Sequence, residues 1–206
     1  MKKRLLFFIV LLSILNFSCK KREVQADGYF PNEPGYHWTY RWIADRSEGT
    51  IEVKILDSKK LAGGEVAKGW QYIYKNGLES YVDTVWVVSS DKDVSIYNDL
   101  DMSDSSQFST ERLHYILPLE VGNRWYANLF QGDTTRVLNQ ETVFVPAGSF
   151  SNVFRISKNV GFAANAGVQD TIYFKKNIGV VKFCQHEFNL GPVPGNGVWE
   201  LVDYNF

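Results

Sequence analysis

The sequence predicts a mainly β protein: an antiparallel meander built from two repeated modules and curved on itself. Aromatic residues make up 15% of the chain, and with valine, isoleucine and threonine they favour pleated, half-buried strands over helices. Short apolar runs recur between glycine or asparagine turn signals, the spacing of a β-meander. The third observation is a stretch that occurs twice. Pro31 to Trp38 reads PNEPGYHW and Pro118 to Trp125 reads PLEVGNRW, so a PxExGxxW motif recurs at an offset of 87 residues. Asp83, Thr84, Val85 and Trp86 are matched by Asp170, Thr171, Ile172 and Tyr173 at the same offset. Two independent matches at one spacing predict duplication. About ten antiparallel strands in one sheet accumulate enough twist to curl or fold over.

The N-terminus stands apart from this pattern. Lys2, Lys3 and Arg4 precede an apolar run from Leu5 to Leu15 broken only by Ser13, which is too short to span a bilayer as a helix. It has the length of a signal-peptide core. A small residue, Ser18, then precedes Cys19, which resembles the lipobox of bacterial lipoproteins, where signal peptidase cuts before a diacylated cysteine. Here Asn16 stands at the usual leucine position, with Leu15 one place earlier. A transmembrane anchor, or a secretory signal with an incidental cysteine, is the alternative. On the lipoprotein reading residues 1–18 are removed and 19–27 form a lipidated tether. Each acyl methylene buried contributes about 0.8 kcal/mol, so several chains anchor stably. Lys20, Lys21 and Arg22 can each add roughly 1 kcal/mol beside an anionic leaflet, or act only as a solvated tether. The expected location is the cell envelope, on the outer membrane, with the face left open.

Removing residues 1–18 strips three cations and no acids, moving the formal charge from -1 to -4 over 188 residues. A mildly acidic body disfavours nucleic acid as a partner. With Cys19 acylated, Cys184 is the one cysteine left, so no intramolecular disulfide is expected; in VVKFC it reads as an ordinary strand residue.

The first module is expected over 28–98. In its opening motif Pro31 and Pro34 interrupt ladder pairing and Gly35 permits a tight bend, leading into a strand from Tyr36 to Ile43 that Trp38 anchors in the core. After a turn through Asp45 to Gly49, Thr50 to Leu56 alternates strictly: Ile51, Val53 and Ile55 share one face, Glu52 and Lys54 the other. Trp70 to Tyr74 and Tyr81 to Val88 follow, separated by the hairpin dipeptide Asn76-Gly77, and Val94 to Tyr97 closes the module. Residues 99–112 form an acidic, serine-rich linker. Asp99, Asp101 and Asp104 have the spacing of calcium donors, but Asp104 occupies the position where an EF-hand loop needs glycine, so no metal is expected there. Glu111 to Tyr115 is expected to form one helical turn.

The second module, over 113–206, begins with the second copy of the motif, Pro118, Glu120, Gly122 and Trp125. Strands are expected at Asn123 to Gln131, Thr135 to Val145, Asn152 to Lys158, Gln169 to Lys175, Val180 to His186 and Gly197 to Asn205, with Pro146 to Gly148 as a turn. The loop GPVPGNG reads as a hairpin connection. Glu33 and Glu120 invite a reading as paired acids, but their expected role is to accept hydrogen bonds from the amides of the Gly35 and Gly122 turns.

LPLEVGNRW, VPAGSFSNVFRIS, FKKNIGVVKF and the closing ELVDY together resemble a group of uncharacterised bacterial lipoproteins made of antiparallel β-meanders. That group carries a PLxxGxxW motif, a VPAGxF hairpin and a GVGLVK-like strand; Asn177-Ile178-Gly179 replaces its usual PGVG turn. The resemblance covers most of residues 29 to 204. It implies an outline similar to the half-open β-barrels that carry lipoproteins or lipids across the periplasm, with an apolar concave face, though fold analogy says little about function.

Val85 and Val87 oppose Trp86 and Val88, and Ile172 and Phe174 oppose Tyr173, so several strands are apolar on both faces and need a cover. A helix, the other module, an apolar ligand or a protein partner would each serve. If a ligand, the wall candidates are Trp42, Trp70, Trp86 and Tyr173; if not, the chain is a structural lipoprotein that meets another envelope protein. Catalysis has no foothold: His37, His114 and His186 fall in no metal-binding spacing, no GxSxG elbow occurs, and phosphate-binding glycine motifs are absent. Neither an enzyme nor a cofactor is expected.

Overall fold

Along the regular strands burial alternates with period two, one face turned inward. The computed structural model describes residues 30–44, 47–60, 64–77, 79–97, 111–126, 134–163, 166–188 and 197–206. The expected signal peptide, Cys19 and the expected tether, the carboxylates Asp99, Asp101 and Asp104, and residues 191–196 of the GPVPGNG loop lie outside them. Among the described residues there are twelve strands: β1 His37–Ala44, β2 Ser47–Lys60, β3 Val66–Asn76, β4 Glu79–Ser89, β5 Asp93–Tyr97, β6 Glu111–Ile116, β7 Arg124–Trp125, β8 Thr134–Val145, β9 Gly148–Ala163, β10 Ala166–Lys175, β11 Gly179–Phe188 and β12 Gly197–Asn205. No helix occurs among them.

All twelve belong to one antiparallel sheet, in the order β6-β5-β4-β3-β2-β1-β12-β11-β10-β9-β8-β7, nearly closed into a barrel. Consecutive strands pair throughout β1 to β6 and throughout β7 to β12. One pairing joins distant parts of the chain: β1 against β12, with Trp38 opposite Tyr204 and Trp42 opposite Trp199. The two six-stranded runs are therefore halves of a single curved sheet.

Glu111 to Tyr115 corrects an expectation, since it forms β6 and pairs with β5 rather than making a helical turn. Leu113, Tyr115 and Leu117 alternate at period two, and the free edge of β5 supplies the ladder that a lone helical turn lacks. β6 also spans the expected linker boundary at 112 and closes the first six-stranded run. β9 is much longer than Asn152 to Lys158, whereas β7 holds two residues; 127–133 lie outside the described part.

Strand direction alternates, which sorts the connections onto two ends. One end, the tight-turn end, has Ser90 to Asp93, Pro146-Ala147 and Lys176 to Ile178 among its turns, while the β3–β4 hairpin after Asn76 lies at the other. At the other end are the longer connections 98–110, 127–133 and 189–196. The core runs along the concave face: Ile51, Val53 and Ile55 of β2, Val85 and Val87 of β4, Ile156 of β9, and Ile172 and Phe174 of β10 are all buried. On the convex face Glu52 is held by Lys75 at 2.5 Å and Lys54 at 3.2 Å.

Candidate functional site

The two PxExGxxW motifs fold into the same turn. The Tyr36 amide donates to the Glu33 carbonyl at 3.1 Å and the Asn123 amide to the Glu120 carbonyl at 3.0 Å. Gly35 and Gly122 have φ of 91° and 95°, the third position of a type II turn, where glycine avoids the steric cost of positive φ. Their amides donate to the carbonyls of Ile55 and Val137, and the amides of Ile55 and Val137 donate back to Tyr36 and Asn123. The expectation that the glutamate side chains receive these amides is corrected: the acceptors are main-chain carbonyls. The Glu33 carboxylate pairs instead with Lys68 at 2.8 Å. Pro31 is buried and Pro118 exposed. Trp38 and Trp125 are buried, and Trp38 Nε1 donates to the Ile178 carbonyl at 2.6 Å.

From each of these tryptophans a row of directly opposed residues crosses the concave face. Trp38, Val53, Tyr72 and Asp83 form the first. Trp125, Thr135, Lys158 and Asp170 form the second, and it continues to Gln185 on β11. Both rows include the aspartate of a DT dipeptide.

The interior is closed at the tight-turn end. Phe30, just before β1, stacks against Trp70 at 5.1 Å and Phe174 at 5.4 Å and lies 5.8 Å from Tyr115, joining both halves of the sheet. Trp38 stacks on Trp70 at 5.1 Å, and Trp70 Nε1 donates to Asn32 Oδ1. Deeper in, the Tyr40 hydroxyl donates to the Val180 carbonyl at 2.8 Å. Burial is the main reason why the Tyr40 and Tyr115 hydroxyls titrate far above the usual tyrosine range; both stay neutral.

Towards the other end the same face becomes half-buried. Trp42, Tyr72, Tyr74, Phe183 and Trp199 line it and pack on the core without being sealed by it. Trp199 is the hub, with ring centroids 5.1 Å from Phe183, 6.1 Å from Tyr74 and 6.5 Å from Tyr72.

Of the four wall candidates, Trp42 and Trp70 face this interior, Trp42 in the half-buried part and Trp70 in the closed end. Trp86 and Tyr173 do not, which corrects their assignment. Trp86 pairs with Gly69 on the face opposite Val85 and Val87, where Lys59 Nζ lies 4.1 Å from its ring. Tyr173 alternates with Ile172 and Phe174 and pairs with Arg155 and Lys182 on the convex side. An aromatic run shows that both faces are apolar but does not say which is concave. Tyr72, Tyr74, Phe183 and Trp199 escape a reading of the sequence for a related reason. Alternation puts Tyr72 and Tyr74 on the Trp70 face, but the β1–β12 pairing is what brings Trp199 to them.

No family model matches the sequence, and no curated protein matches it. Two solved structures share the fold. One, from Bacteroides fragilis, is described as an exported protein with a YmcC-like fold; it is 13% identical with a TM-score of 0.54, over 87% of this chain and 99% of that one. The other, described as a lipoprotein from Parabacteroides distasonis, is 12% identical with a TM-score of 0.54, over 86% of this chain and 98% of that one. At such identities the likeness establishes the fold.

Proposed function

We propose that the protein is a lipid-anchored, non-catalytic component of the bacterial cell envelope that holds an apolar or amphipathic ligand against its concave aromatic face. The half-buried cluster of Trp42, Tyr72, Tyr74, Phe183 and Trp199 carries this reading. Such a cluster is costly to leave in water, and its partly covered rings suit an apolar guest. The signal-like N-terminus ending at Cys19 supports the anchor, for which the outer membrane is the proposed destination. The two structural neighbours, one described as exported and one as a lipoprotein, support an envelope address. The matching turns at Gly35 and Gly122 and the two rows that include Asp83 and Asp170 support an origin by duplication of one six-stranded unit.

Native mass spectrometry of residues 20–206, exported without acylation, tests the ligand. A co-purifying lipid lost in a Trp42→Ala/Trp199→Ala variant is the expected result, whereas a bare mass counts against it. A second reading, a structural lipoprotein that docks another envelope protein, draws on Phe144 and Tyr126, which are 75% and 65% exposed. It predicts that a Phe144→Ser/Tyr126→Ser variant loses a crosslinked envelope partner and keeps its fold.

A further inference from the structure

The concave face is not uniformly apolar. Beside the row Ile156, Ile172, Phe183, Trp199 and Trp42 runs the row Thr135, Lys158, Asp170, Gln185 and Gly197. No register shift intervenes between Asp170 and Ile172 or between Lys158 and Ile156, so alternation turns these polar side chains to the same side as the buried core. Tyr115, whose ring lies in the interior, is influenced by the Asp170 charge, as expected if that carboxylate faces inward. Thr135 is 1% exposed, and its Oγ1 has no hydrogen-bond partner among the described residues. In the matching row of the other half the same place is Val53, which fills the space and leaves no hydroxyl to satisfy. A buried hydroxyl without a partner is destabilising, and an apolar core alone does not explain one.

Taking the concave face as a ligand wall, we infer that the Thr135, Lys158, Asp170 and Gln185 row is a head-group subsite for an uncharged, hydroxylated group, such as the sugar of a glycolipid, whose apolar part lies on the Trp199 cluster. The charge pattern selects against ionic heads. Lys158 and Asp170 stand directly opposite each other on adjacent strands, where opposite charges offset one another, so the row has no net charge to hold an anion or a cation. What it presents is an alternation of donors and acceptors: hydroxyl, ammonium, carboxylate and amide. A polyol can donate to Asp170, accept from Lys158, and do either with Thr135 and Gln185. The aromatic row one step along the strands supplies flat apolar surface beside it.

The test is a calorimetric titration of residues 20–206, which hold the whole described sheet, with four probes below their micelle concentrations: octyl glucoside, octanol, octyl sulfate and octylammonium. Octyl glucoside is expected to bind most tightly. Thr135→Val and Gln185→Leu should each weaken it about tenfold, the size of one lost hydrogen bond to a buried partner, and leave octanol unchanged. Thr135→Ser, which keeps the hydroxyl, should keep the preference and serves if the valine variant fails to fold. Equal binding of glucoside and octanol in every variant, or tightest binding of either ionic probe, overturns the head-group subsite and leaves the aromatic wall standing. Failure of all four probes removes the wall itself and this inference with it.

Discussion

At the scale of single residues, the PxExGxxW motifs separate what a repeat invites from what it does. Glutamate, glycine and tryptophan at matched positions suggest a paired site. The hydrogen bonds instead assign glycine to the positive-φ position, the glutamate carbonyl to the turn, and tryptophan to the core. Trp125→Ala should therefore cost about 3 to 5 kcal/mol, read as a fall in the midpoint of urea unfolding. An unchanged midpoint with loss of bound ligand would instead make the motif functional. Glu200 gives a residue-scale pH dependence. Arg41 at 2.6 Å, then Lys182 at 3.0 Å, hold its carboxyl below the usual glutamate range. A depressed folded-state pKa stabilises the fold above the unfolded value of about 4.3 and loses that contribution as pH falls through the folded value. Partial solvent exposure limits the effect to about 1 kcal/mol or less. Between pH 6 and pH 3 the wild-type melting temperature should fall further than that of Glu200→Gln.

At the scale of elements, each strand is legible to the degree that its two faces differ. In β2 the inward face is legible, because Ile51, Val53 and Ile55 alternate with Glu52 and Lys54, but its full length from Ser47 to Lys60 is not. β6 is easily mistaken for a helical turn because its apolar alternation is short and only the β5 edge makes it a strand. Phe30 belongs to no strand, yet its ring joins Trp70 and Tyr115 of one half to Phe174 of the other. Phe30→Ala should cost about 3 to 5 kcal/mol, visible as a lower melting temperature, and should leave room in the closed end for an added apolar dye. A variant that melts like wild type and takes up no dye would show that Phe30 does not plug the interior.

At the scale of the whole molecule, ten of the strand pairings among the described residues are between consecutive strands and one, β1 with β12, closes the chain on itself. That pairing joins the two halves of the concave face, placing Trp42 beside Trp199 and Arg41 beside Glu200. Phe30, which plugs the tight-turn end, is the first described residue of the chain. Ten residues lie between Cys19 and Phe30, a stretch that reaches at most about 40 Å when extended. Cys19→Ala should move the protein from the membrane pellet to the soluble fraction. Retention in the pellet sinks the lipid anchor.

The sequence by itself determined the class, the bends that lead into β1 and β7 and the inward set of a strand whose faces differ, such as β2, because alternation, positive-φ glycines and proline act within a few residues of themselves. Only the tertiary structure decided that the two modules make one sheet, that Trp86 and Tyr173 lie on its outside, and that Thr135, Lys158, Asp170 and Gln185 share a row with the interior. Those facts depend on which way a curved sheet bends and on a pairing between strands more than 150 residues apart, and neither leaves a local mark in the chain.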